Sequence, residues 1–286
     1  MCLELFMVDS ETKHASRPKP VTVFAITAGK GGVGKSNVAA NLSIALAQKN
    51  KQVMLLDADL GIGNIDILLG LQANYNIAHV LKGECALSDI ILKGPCNVSV
   101  IPAASGADFM TKLSPAEHAG IINSFSELTD NLDYLIIDTA AGISDTVLSF
   151  ARSSQELIVL LCDEPTSMAD AFALIKLMYK RYKRSHFHIL VNMVRRLKDG
   201  RALFNKLCKI SEQFLDIQLD YLGALPFDEK VHQAVKKQEA VLLAYPDAYV
   251  SQAFTSLAKR ILDRPYTSSL GGNTSFFLER LVAGEI

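Results

Sequence analysis

The sequence predicts an α/β fold: a doubly wound, mainly parallel central sheet flanked by helices, with an amphipathic helix at the C-terminus. Three observations predict it. Short apolar runs alternate with segments of helical periodicity, the pattern of a parallel sheet with crossover helices. Acids, an asparagine and glycines follow the ends of those runs, where such sheets bind ligands. Residues Gly29 to Ser36 satisfy G-x-x-x-x-G-K-[ST] between a run and a helical segment, which is a phosphate-binding loop in its proper setting.

Taken in order, Val21 to Ile26 reads as a buried strand, and Ser36 to Lys49 as a helix with Val38, Leu42, Ala45 and Leu46 on one stripe. Val53 to Leu56 is a second strand, ending at Asp57-Ala-Asp59 and followed by a glycine-punctuated loop to Asp66. Residues 76–94 read as short helices with turns at Gly83 and Gly94, and Val98 to Ile101 as a strand. Pro115 to Asn131 is a helix, with Pro115 at a favoured first position. Strands follow at Tyr134 to Ile137, ending at Asp138, and at Glu156 to Leu161. Ser167, with Asp170 as its capping-box partner, opens a helix to about Arg184. His188 to Val191 is a strand ending at Asn192, a helix runs on to about Leu215, and Leu219 to Leu225 is a further strand. Helical segments at Lys230–Lys237 and Ala253–Leu262 complete the series. The expected domains are an N-terminal arm over 1–20, a nucleotide-binding domain over 21–265, and a linker with the amphipathic helix over 266–286.

The loop residues fit one chemistry. Gly29, Gly31, Gly32 and Gly34 let backbone N–H groups, including those of Val33 and Asn37, close on a phosphate at a helix N-terminus. Lys35 is placed for the β/γ-phosphates and the Ser36 hydroxyl for Mg²⁺. Asp57, Asp59 and Asp138 each follow an apolar run. Mg²⁺ keeps several waters in an octahedral shell, so acids that orient those waters complete a Mg²⁺–nucleotide site.

The remaining composition excludes more than it selects. With 29 Lys+Arg against 30 Asp+Glu in 286 residues, no global field favours nucleic acid or anionic membrane, so no direct nucleic-acid partner is expected. Five scattered cysteines contain no C-x-x-C, which argues for reduced cytosolic thiols. No secretory leader and no span-length apolar run are found.

Lys30 narrows the class. Lys30-Gly-Gly-Val-Gly-Lys-Ser36 resembles the deviant phosphate loop of the MinD/ParA family of ATPases, in which the additional lysine reaches across an ATP-bound dimer to the partner's nucleotide. Read from the residues alone, a solvated loop lysine is the alternative. The resemblance implies that Asp59 positions the attacking water, with Lys30 and Lys35 neutralising charge, and that Asp57 and Asp138 serve the magnesium shell. It places Asn192, Arg196, Leu225, Pro226, Phe227 and Asp228 in two loops that flank the base; simple capping is the alternative for Asn192 and Asp228. No N-K-x-D guanine-reading motif occurs.

Longer strings, Leu55-Leu-Asp-Ala-Asp-Leu-Gly61, Ile101-Pro-Ala-Ala-Ser-Gly106, Asp138-Thr-Ala-Ala-Gly-Ile143 and Cys162-Asp-Glu-Pro-Thr-Ser167, resemble one branch of that family, the MinD-like flagellar number regulators (FlhG, also called FleN). That branch implies a slow, Mg²⁺-dependent ATPase that controls flagellar number and placement. Its implied partners are a second copy of the chain, an FlhF-type GTPase, flagellar C-ring proteins, a flagellar transcription activator and the cytoplasmic face of the inner membrane. Residues 1–20 carry no D-Q-A-x-x-L-R segment, with which many members stimulate that GTPase. A ParA-type partition ATPase on nonspecific DNA and a hydrolytically inert nucleotide-dependent scaffold are the alternatives.

Three further features remain. Phe277, Leu278, Leu281 and Val282 share one side of a helical wheel, with Phe276 at its boundary, a spacing suited to a membrane interface, to a partner, or to packing on the parent domain. Lys176, Lys180, Arg181, Lys183 and Arg184 gather at a helix end and read as a solvated face. His186 and His188 share a strand face, but the sequence offers them no third metal ligand.

Overall fold

The computed structural model describes residues 21–59, 63–103 and 132–264. The expected arm over 1–20, the helix over 115–131 and the tail with Phe276, Phe277, Leu278, Leu281 and Val282 lie outside them.

The described residues form an eight-stranded sheet in the order β3-β4-β2-β5-β1-β6-β7-β8. The strands are β1 (Thr22–Thr27), β2 (Val53–Ala58), β3 (Leu92–Lys93), β4 (Ser99–Ile101), β5 (Tyr134–Thr139), β6 (Glu156–Cys162), β7 (His186–Val194) and β8 (Gln218–Pro226). Every pairing is parallel except the two-residue β3, which runs antiparallel along β4 at the edge. The interior strands read as unbroken apolar runs because both sheet faces are covered. Val23 and Ala25 face one core, whereas Phe24 and Ile26 face the other.

Helix α1 (Lys35–Ala47) is buried along nearly its whole length, from Val38 to Leu46. It lies between the sheet and the helix Tyr249–Leu262, the last among the described residues, which explains why apolar residues surround it instead of forming one stripe. Short helices α2 (Ile65–Leu68) and α3 (Ile77–Leu81) follow β2. Then come α4 (Asp145–Ser153), α5 (Pro165–Tyr182), α6 (Leu197–Glu212), α7 (Glu229–Lys236), α8 (Val241–Ala244) and α9 (Tyr249–Leu262). No helix among the described residues is long and apolar enough to cross a membrane.

Several local expectations are corrected. Helix α4 has no counterpart in the sequence reading; Ser144 opens it, accepting from the Val147 N–H at 3.4 Å. Helix α5 begins at Pro165, and Ser167 does not cap it: its hydroxyl accepts from the Cys162 N–H at 3.0 Å, joining the first turn to the end of β6. Arg184 is no part of a solvated face. Its guanidinium donates to the carbonyls of Ala151, Ser154, Gln155 and His186, clamping the end of α4 to the starts of β6 and β7. Arg181 pairs with Asp145 at 3.1 Å, so the helix-end cations are partly structural.

Candidate nucleotide site

The phosphate loop sits between β1 and α1, at the carboxyl ends of the central strands. Gly34 is the N-cap of α1 with φ 85°, a left-handed conformation that favours glycine. The Val38 N–H donates to the Gly34 carbonyl at 2.9 Å, so the helix starts directly from the loop. At Gly29 space is the constraint: a Cβ there would stand 2.4 Å from the Asp170 backbone of α5. Helix α5 therefore fixes one side of the loop.

The sequence reading gave the four loop glycines a single role, and the structure divides them. Gly31 and Gly32 form the exposed rim of the loop, and a Cβ on either would meet nothing within 4 Å. Gly32 has φ 79°, so its backbone still favours glycine, whereas Gly31 lies outside the positive-φ set. At Gly31 neither backbone conformation nor packing within the described residues calls for glycine.

The other side of the loop is fixed by Asn192. Its amide donates to the Val33 carbonyl at 2.8 Å, and a Cβ on Gly34 would meet the same amide at 2.6 Å. The Cys162 thiol also reaches the Val33 carbonyl, at 3.9 Å. Asn192 is buried, so this bond has little competition from water. Asn192→Ala is expected to lower stability by about 1–3 kcal/mol, the cost of stranding a buried carbonyl, and to weaken ATP binding roughly tenfold as the loop loosens. Thermal melts and calorimetric titration with ATP check both effects.

The acids converge. Asp138, in β5, is in register with Asp57 of β2 on one side and Ile26 of β1 on the other. Asp57 is buried and its carboxylate accepts from the Asp59 N–H at 3.1 Å, the Asn64 N–H at 2.9 Å and the Ile65 N–H at 3.1 Å. Burial nevertheless raises its pKa to about 6, against those three donors and with the Asp59 charge adding to the rise. Burial raises Asp138 further, to about 7; the Ser36 hydroxyl and the Lys35 charge pull down, and Asp57 and Asp59 push up. Lys35 is itself only 9 % exposed.

This donor set fits Mg²⁺. Asp138 Oδ1 is buried with no hydrogen-bond partner, and buried carboxylates that resist ionisation are what a divalent cation stabilises. Ser36, Asp138 and Asp57 would hold the ion and its waters, and the bound ion would supply charge neutralisation at the phosphates. Asp59 lies just beyond β2, half-buried, near enough to both acids to raise their pKa values.

Lys30 turns away from this cluster. Its ammonium pairs with Glu164 at 2.5 Å and with the Thr166 hydroxyl at 3.2 Å, both at the start of α5. The Glu164 hydrogen bond holds the Lys30 pKa above its ordinary value.

The two loops expected to flank the base lie side by side. The Phe227 N–H donates to the Val194 carbonyl at 2.8 Å, joining the end of β8 to the end of β7. Asp228 caps α7 through the Lys230 N–H at 2.9 Å, and Arg196 pairs with Asp199 at 3.1 Å. Leu225 is buried, Pro226 ends β8, and Phe227 is exposed. Glu164, Thr166, Asp170 and Cys162 escaped the sequence reading as residues that shape the site. Their signals in the sequence were the string Cys162-Asp-Glu-Pro-Thr-Ser167, with a helix start at Glu164-Pro165 directly after a strand, and Asp170 as a capping candidate.

Comparison with known proteins agrees with this geometry. The ParA family model, described as NUBPL iron-transfer P-loop NTPase, matches residues 20–262. The antiactivator FleN of Pseudomonas aeruginosa is 50% identical over 270 residues, covering 94% of this chain and 96% of that protein. The flagellum site-determining protein YlxH of Helicobacter pylori is 33% identical, covering 88% of this chain and 87% of that protein. Among solved structures, the MinD cell division protein of Aquifex aeolicus superposes with a TM-score of 0.68 at 25% identity, covering 86% of this chain and 99% of its own. With a phosphate loop, its strand-end acids and these relatives, the chain belongs to the ParA/MinD family of P-loop ATPases.

Proposed function

We propose that the chain is a Mg²⁺-dependent ATPase that dimerises when it binds ATP and regulates the number and placement of flagella. The observation that carries this reading is Lys30: a second lysine in the phosphate loop, held by Glu164 and Thr166 outside its own acid cluster, in a chain half identical to an antiactivator named FleN. Lys35 and Ser36 hold the phosphates and ion of the chain's own nucleotide, and the backbone of Gly29, Gly31, Gly32, Val33, Gly34 and Asn37 closes on them. Lys30 leaves Glu164 and neutralises charge on the nucleotide of a second copy. Asp59 positions the attacking water, and hydrolysis releases the dimer. Turnover is slow and set by partners.

The loops ending β7 and β8 receive adenine, with Asn192 supporting the phosphate loop from below. The segment 266–286 carries a reversible membrane or partner contact through Phe276, Phe277, Leu278, Leu281 and Val282. The FlhF-type GTPase, C-ring proteins and a flagellar transcription activator are the partners this reading names, at the cytoplasmic face of the cell membrane.

Size-exclusion chromatography with light scattering is the test. The parent chain is expected to be monomeric with ADP and dimeric with ATP. Asp59→Ala should give a persistent ATP dimer with hydrolysis lost, because Ser36, Lys35 and the ion still hold the phosphates. Lys30→Ala should bind ATP and stay monomeric. A Lys30→Ala chain that dimerises like the parent, or an Asp59→Ala chain that hydrolyses at the parental rate, overturns the corresponding role.

A further inference from the structure

A second cluster of ligating side chains lies at the opposite end of the sheet from the nucleotide site. It is built where three parallel strands begin: Glu156 opens β6, His186 and His188 open β7, and Asp220 lies near the start of β8. The register places His188 beside Asp220, and the two imidazoles stand edge to face with centroids 4.7 Å apart. Glu156 supplies the third ligand that the histidine pair lacked in the sequence. It comes from a different strand, far from the histidines along the chain, so only the parallel pairing reveals it.

The donor atoms converge. Glu156 Oε2 is 2.7 Å from His188 Nε2 and 4.0 Å from His186 Nδ1. One ligand atom from each of Glu156, His186 and His188 lies within 4.8 Å of the others. Ligands of a tetrahedral ion at about 2.0–2.2 Å stand roughly 3.4 Å apart, so side-chain movement of about an ångström closes the set. Burial is graded. His188 is 1% exposed, Glu156 15% and His186 42%, so an ion reaches the site from the His186 side and meets buried ligands behind it.

The surrounding bonds set the tautomers. His186 Nε2 faces Asp220 Oδ2 at 3.1 Å. A proton on that nitrogen leaves Nδ1 as the donor toward an ion beside Glu156, the carboxylate–histidine arrangement that orients metal-bound imidazoles. Arg264 Nη1 is 3.2 Å from His188 Nδ1, which places the His188 hydrogen on Nε2, facing Glu156, when no ion is bound. Binding moves that hydrogen to Nδ1, so the Arg264 N–H that faces Nδ1 must turn aside and Asp220 Oδ2, 3.9 Å away, must close in to accept it. Arg264 retains Asp220 and the Tyr221 carbonyl, each now at 3.4 Å, as partners for its guanidinium, and no net proton is lost.

We propose that Glu156, His186 and His188 form a divalent transition-metal site of the Zn²⁺ class, with water as fourth ligand and Asp220 orienting His186. Two imidazoles with one carboxylate suit Zn²⁺, Co²⁺ or Ni²⁺ and disfavour Mg²⁺ and Ca²⁺. The site is independent of the nucleotide and of the flagellar reading.

The test uses the full chain with Mg-ADP present to occupy the phosphate loop. Zn²⁺ is titrated by calorimetry, Co²⁺ is followed by visible absorption, and melting is followed with each ion. One equivalent should bind, with cobalt d–d bands, no sulfur-to-cobalt charge transfer, and a raised melting temperature. His186→Ala and Glu156→Gln are each expected to weaken binding at least tenfold, in line with loss of a ligand. His186 is partly exposed, so its variant should fold, and circular dichroism checks that it does. Absence of binding by the parent, unchanged affinity in His186→Ala, or a cobalt spectrum with sulfur charge transfer overturns the assignment.

Discussion

Lys35→Ala is expected to weaken ATP binding by at least roughly 100-fold, the largest single loss the site can suffer. Lys35 opens α1 directly after the left-handed Gly34 and is buried. A buried ammonium donating to phosphate oxygens makes charge-assisted hydrogen bonds about twice as strong as neutral ones. Removing it leaves the Asp57, Asp59 and Asp138 charges facing the incoming phosphates with less to offset them. Lys30 cannot compensate, because it is held away by Glu164 and Thr166. Arginine is a poor substitute, since a planar fork does not replace a compact charge at a close backbone approach. The Lys35 charge also lowers the Asp138 pKa, so the variant should hold the Asp138 proton to higher pH. Calorimetric titration with ATP and Mg²⁺ reads the affinity, with circular dichroism as the folding control. An affinity within threefold of the parent would remove the phosphate-loop assignment.

What the sequence made legible follows the range of the forces involved. The strand β1, the loop and α1 are local: an apolar run, glycines and a helical stripe, one directly after another. Within that loop the separate constraints on Gly29, Gly31, Gly32 and Gly34 were not legible, because Asp170 and Asn192, which crowd two of them, come from distant strand ends and helices. Asp57 and Asp138 could be singled out because each ends a run. Their register with one another needed the sheet order, in which β5 lies between β2 and β1. Helix α4 was missed because its polar residues outnumber its apolar ones, although Ser144 and the Val147, Leu148 and Ala151 spacing were present to find it. The capping expectation at Ser167 failed because a tertiary partner, the Cys162 N–H, competes for the hydroxyl. Arg184, Asn192 and Glu156 share one cause. Each meets its partner across strands far apart in sequence, and no local pattern encodes such a meeting.

The acid pair also makes the nucleotide-free chain sensitive to pH, and Asp138→Asn should remove most of that sensitivity. Asp138 binds its proton more tightly when folded, with a pKa of about 7 against 3.8 for the free side chain. A raised carboxyl contributes stability below pH 4 that is lost as pH rises to about 7. Asp57, raised to about 6, acts in the same direction over a narrower window. Asp220 is lowered, so its effect falls below pH 4 and outside this range. Between pH 5 and 8 the empty site should therefore destabilise progressively, on the order of a few kcal/mol, because each pKa unit is worth about 1.4 kcal/mol. Asparagine keeps the shape and never ionises. Asp138→Asn should raise the melting temperature at pH 8 by about 5 °C or more, at about 2–4 °C per kcal/mol for a domain of this size, and change it little at pH 5. The same change removes the orphaned Oδ1 charge that would hold Mg²⁺, so the rise in melting temperature on adding Mg-ATP should shrink. Stability and ligand binding thus move in opposite directions, as expected where a site stores unfavourable charge for its ligand. An equal gain at pH 5 and pH 8 would assign the effect to packing. No gain at pH 8 would mean that the buried pair carries no charge cost.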